Sequence, residues 1–75
     1  MNNARRKQLS KWLEDIENVK SKLETICSDE DDCFNNIPEN LQGSERASNS
    51  EEAIEQMNEA ISSIEDAICI IEDII

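Results

Sequence analysis

Seventy-five residues with a mass of 8.5 kDa amount to one small domain, which excludes a catalytic domain joined to a separate binding domain. Eighteen acidic against seven basic residues, no histidine, one glycine and one proline disfavour β-sandwiches and disulfide scaffolds and leave an all-α chain of long helices. A net charge of −11 argues against direct binding to nucleic acid or to an anionic membrane, whose phosphates would repel most of this surface, so the partners expected are proteins with a basic or apolar site.

The charge is unevenly spread. Residues 1–23 hold six Lys/Arg and three acids, a balance of +3, whereas residues 24–75 hold one Arg and fifteen acids, a balance of −14. The opening residues carry Asn and Arg instead of the apolar stretch of a secretory signal, and the apolar run Ile68-Cys69-Ile70-Ile71 falls far short of the ~20 residues a bilayer crossing needs. A cytoplasmic protein that keeps its three cysteines reduced is the expectation.

From Leu9 the apolar residues recur every seven positions in two interleaved series, Leu9, Ile16, Leu23 and Trp12, Val19, Ile26, Cys33. This is the seam of a coiled coil, with the first series at position a and the second at d. Position e adds Leu13, Cys27 and Phe34, and the charged residues that interrupt the three rows are Lys20 and Glu30. With no Gly or Pro before Pro38, one helix is predicted over about 3–34.

Residues 35–43 are predicted to reverse the chain. Asn35 and Asn36 disfavour further helix, Pro38 pushes Ile37 out of the helical region, and Gly43 follows. Glu39 to Leu41 suit one helical turn behind Pro38, tucking Ile37 and Leu41 over the end of the core. Ser44 and Ser48 both suit the cap of the next helix, and Ser44 is preferred, which gives a second helix over about 44–75.

That second segment repeats a seven-residue unit three times, beginning Ala53-Ile54, Ala60-Ile61 and Ala67-Ile68. Ile54, Ile61, Ile68 and Ile75 occupy a, Met57, Ile64 and Ile71 occupy d, and Ala53, Ala60, Ala67 and Ile74 occupy g. Two helices of similar length joined by a short turn predict an antiparallel coiled-coil hairpin. Charge agrees, because that orientation brings Arg5, Arg6, Lys7 and Lys11 beside Glu65, Asp66, Glu72 and Asp73.

A lone hairpin covers one side of each stripe, and Ile70 falls at a position that one partner helix cannot reach. The expected cover is a second copy, giving a homodimeric four-helix bundle whose seam is Leu9, Trp12, Leu13, Ile16, Ile54, Ile61, Ile64, Ile68, Ile70, Ile71 and Ile74. A different protein seated on the same patch is the competing expectation.

No residue pattern points to catalysis. Cys27, Cys33 and Cys69 lack a histidine and a Cys-x-x-Cys spacing, and the hairpin separates Cys69 from the other two, so they are expected as buried or half-buried small hydrophobes. No metal or cofactor is expected. Asp29-Glu30-Asp31-Asp32 resembles the start of a calcium loop, but loop position 6 is then Phe34 and position 12 is Asn40, where Gly and Glu are required. This acidic run at a helix end is the candidate partner-binding tip, against the plainer reading of a solvated helix terminus. Adjacent carboxylates such as Glu14-Asp15 and Glu65-Asp66 have no cleft around them, so no enzyme is expected.

Three stretches together resemble a family: Asn2-Asn3-Ala4-Arg5-Arg6-Lys7, then Asn36-Ile37-Pro38-Glu39-Asn40-Leu41-Gln42-Gly43-Ser44-Glu45-Arg46, then Glu51-Glu52-Ala53-Ile54. They are similar to small acidic helical-hairpin proteins of phages and prophages of low-GC Gram-positive bacteria. The resemblance implies a phage-type protein in the host cytosol that binds and blocks a host protein of defence or nucleic-acid machinery; no residue roles carry over with it. The alternative expectation is a structural scaffold element that acts only through its Ile-rich seam.

Overall fold

A computed structural model of the chain describes residues 1–41 and 43–75. Gln42, within the predicted turn, lies outside the described residues. Two long helices, α1 (Asn3–Asn35) and α2 (Glu45–Ile74), are joined through a 3-10 turn at Glu39–Leu41.

Local chemistry marks each boundary. Asn2 is extended, and its side-chain oxygen accepts from the Arg5 amide at 2.9 Å, satisfying one of the donors a helix start leaves open. At the other end of α1 the Asn36 amide donates to the Asp32 and Cys33 carbonyls, and the Ile37 amide donates to Phe34 before Pro38 ends the helix. The Leu41 amide donates to Pro38 at 2.8 Å, closing the 3-10 turn. Ser44 caps α2, its hydroxyl accepting from the Ala47 amide at 3.3 Å.

The helices pack side by side as a rod of 59 × 15 × 13 Å. Polar cross-contacts show the direction: Glu30 meets Ser50, Cys27 meets Asn58 and Lys20 meets Glu65, so positions rise along α2 as they fall along α1. The hairpin is therefore antiparallel. Its apolar interior is thin, with Cys27, Ala47 and Ile68 the buried apolar residues among those described.

On α2 the covered residues are Ala47, Ser50, Ile54, Met57, Ile61, Ile64, Ile68 and Ile71 of the a and d rows, with Ala53 and Ala67 of the g row beside them. On α1 they are Leu9, Leu13, Ile16, Lys20, Leu23, Cys27, Glu30 and Phe34, which are the a and e rows. Trp12, placed at a core d position by the sequence, is 50% exposed, with Val19 at 55% and Ile26 at 57%. The reason is geometric. Three adjacent rows of α1 are apolar and a single partner helix covers two, so the helix rolls to bury the e row. That roll brings Lys20 and Cys27 against polar partners on α2.

Two further expectations are corrected. Ile37 is half-buried, but Leu41 stands 50% exposed and does not close the end of the core. The ion pairs among the described residues both belong to Lys20; Arg5, Arg6, Lys7 and Lys11 make none there.

Candidate functional site

The roll of α1 gives the hairpin two different long sides. In an antiparallel pair, the rows that flank the seam lie like beside like. One side carries Glu17, Glu24 and Asp31 of α1 and Asn58, Glu65 and Glu72 of α2. The other carries Trp12, Val19, Ile26 and Cys33 of α1 and Ala53, Ala60, Ala67 and Ile74 of α2.

Side-chain positions agree with this division. Glu17, Lys20, Ser21, Glu24, Glu65 and Glu72 line one open groove, and Glu24, Asp31 and Asn58 line its continuation toward the loop. Lys20 is the cation in that groove, with its ammonium 3.1 Å from Glu65 Oε1 and 4.0 Å from Glu24 Oε1. The hydrogen bond it donates to Glu65 raises its pKa, aided by the charges of Glu65, Glu24 and Glu17 and opposed by desolvation. One lysine does not balance five carboxylates, so the groove presents a negative field suited to a basic segment or patch.

The carboxylates of the run Asp29-Glu30-Asp31-Asp32 do not share one direction. Successive helical residues point about 100° apart, so the four carboxylates diverge. Glu30 turns inward, half-buried, and its Oε1 accepts from the Ser50 hydroxyl at 2.7 Å. Asp31 lines the acidic groove, while Asp29 and Asp32 are exposed. The carboxylates that do gather, Glu17, Glu24, Glu65 and Glu72, were missed by the sequence reading. Their signal is the fixed seven-residue spacing within each pair, which becomes visible once the e row of α1 is taken as part of the seam.

The seam residues Leu9, Leu13, Ile16, Ile54, Ile61, Ile64 and Ile71 are half-buried and Ile68 is buried, whereas Trp12, Ile70 and Ile74 face outward. The cysteines split in the same way. Cys27 is buried, its thiol 3.6 Å from Asn58 Oδ1, but Cys33 and Cys69 are exposed, correcting the expectation that all three are covered. Helix α1 turns the d row that holds Cys33 outward, and Cys69 lies on the rim of the acidic groove beside Glu65 and Glu72.

Among the described residues no group of His, Cys, Asp and Glu is arranged to hold a metal ion, and no helix is long and apolar enough to cross a membrane. No protein-family model, no curated protein and no solved structure matches this chain.

Proposed function

We propose that this chain is a non-enzymatic protein-interaction module that self-associates through its apolar side and engages a basic site on another protein through its acidic side. The observation that carries the reading is the division of one rod into a side bearing Glu17, Glu24, Asp31, Glu65 and Glu72 and a side bearing Trp12, Val19, Ile26 and Ile74. A solvated helical hairpin has no need to gather five carboxylates along one side and large apolar residues along the other; two kinds of contact do. The resemblance to acidic phage hairpins supports a host protein of defence or nucleic-acid machinery as the target, blocked by occupation of its basic site, in the host cytosol.

Affinity capture from a low-GC Gram-positive lysate, read by mass spectrometry, tests this. The captured protein is expected to leave at about 1 M salt, where the Debye length falls to about 3 Å. Capture is also expected to fail for the charge-reversed Glu24→Lys/Glu72→Lys variant. Retention of the same protein under both conditions overturns the acidic-side reading.

The exposed apolar side also supports a second reading, a scaffold element that works through its seam alone. There Ile61→Asp abolishes activity and charge reversal on the acidic side leaves it intact.

A further inference from the structure

The exposed row Trp12, Val19 and Ile26 is bordered on α1 by a charge pattern that reads the same when reversed and exchanged in sign. Along the row and its outer flank the charged residues are Arg5, Asp15, Lys22 and Asp29, which is plus, minus, plus, minus. All four are exposed and none forms an ion pair among the described residues. The midpoint of Asp15 and Lys22 and that of Arg5 and Asp29 both fall within two residues of Val19. Trp12 and Ile26 are also placed symmetrically about Val19.

We propose that two copies pair along this face with their long axes antiparallel, about a two-fold axis that passes beside Val19. The inference rests on the self-association named above and specifies its geometry. In this arrangement α1 runs against the partner's α1, Trp12 of one copy lies at the level of Ile26 in the other, and Asp15 meets Lys22 twice. The basic Arg5 end of each copy reaches the Asp29 end of the other, giving the unpaired cations of the open end an acidic counterpart.

The second helix fits the same axis. Lys20 touches Glu65, so the level of Val19 on α1 corresponds to about residue 65 on α2. Reversal about that level brings Ile70, which is 63% exposed, over the small Ala60 of the other copy. Ala60 and Ala67 leave room for the close approach of a second backbone.

The alternative pairing, with both loops at one end, lays α1 against the partner's α2. There the facing flank holds Asn49, Gln56 and Ser63, which offer no charge to Asp15 or Lys22, and the Asp29–Asp32 runs of the two copies sit at the same end. Electrostatics therefore select the antiparallel form.

Site-directed cross-linking distinguishes these outcomes. In a Cys33→Ser/Cys69→Ser background, Val19→Cys is expected to form a disulfide-linked dimer on mild oxidation, since the two copies of this position lie at the axis. With Val19 intact and Cys33 restored, the same oxidation is expected to give no dimer. The two Cys33 side chains lie about 40 Å apart in the antiparallel form at ~1.5 Å rise per residue.

A Cys33-linked dimer, or a light-scattering dimer that Val19→Cys fails to link, overturns the proposed geometry while self-association stands. A particle of 8.5 kDa at protein concentrations where the cross-linking is run overturns self-association itself. Reversal of one charge provides a second readout. Asp15→Lys is expected to weaken the dimer about tenfold or more at low salt, and Asp15→Lys with Lys22→Asp to restore it. Equal weakening by both variants overturns the antiparallel pairing.

Discussion

Lys20 Nζ and Glu65 Oε1 lie 3.1 Å apart across the hairpin, so one charged residue in the middle of an apolar stripe ties the two helices at a fixed level. Lys20→Met removes this tie while keeping the aliphatic stem that packs along the seam. The melting temperature is expected to fall slightly at low salt, and the difference is expected to vanish at about 1 M salt as screening removes the wild-type advantage.

The same pair sets an alkaline limit. Because folding raises the Lys20 pKa, the folded state holds this proton more tightly than the unfolded chain. The contribution is therefore complete at neutral pH and is lost as the pH rises through the raised lysine value. Thermal unfolding followed by circular dichroism above pH ~10 checks this, with Lys20→Met losing that part of the dependence.

Glu30 and Ser50 form the second polar tie, a 2.7 Å hydrogen bond at half-buried positions. Ser50→Ala leaves the carboxylate short of a partner and is expected to cost about 1 kcal/mol in urea unfolding. Glu30→Leu/Ser50→Ala replaces both groups by apolar ones beside Ala47 and Ile54, and is expected to recover or exceed wild-type stability. A double variant weaker than either single one runs against this account of the tie.

Ile68 and Ile70 are two residues apart and face different surroundings, at 8% and 63% exposure. Ile68→Ala is expected to cost about 2–3 kcal/mol by loss of packing against α1. Ile70→Ala is expected to leave unfolding of the separated chains unchanged and to lower the self-association constant measured by analytical ultracentrifugation. Equal effects of both on unfolding at low concentration would falsify the division between inner seam and outer face.

Gly43 adopts no positive φ, and a methyl group at its Cα meets nothing within 4 Å. Its native conformation is open to any L-residue. Gly43→Ala is therefore expected to stabilise the hairpin by about 0.4–1 kcal/mol, through the smaller conformational freedom of the unfolded loop, measured by urea titration.

The sequence alone determines much of this architecture, because helix formation and reversal are local matters. Seven-residue periodicity, the Ser44 cap and Pro38 mark two helices and a turn without reference to anything distant. The frame of α2 is equally legible, since Ile and Met fill its a and d rows without interruption from Ile54 to Ile71. The frame of α1 is not. Its stripe is three rows wide, and nothing within α1 says which two a single partner covers. Contact with α2 decides, by placing Lys20 opposite Glu65 and Cys27 opposite Asn58, and so turns Trp12, Val19 and Ile26 outward. The acidic groove follows from that rotation, because Glu17 and Glu24 join Glu65 and Glu72 only when the e row of α1 lies inside. Residue spacing sets which side chains share a row, whereas the roll of one helix against another sets which rows meet, and that angle exists only in the packed pair.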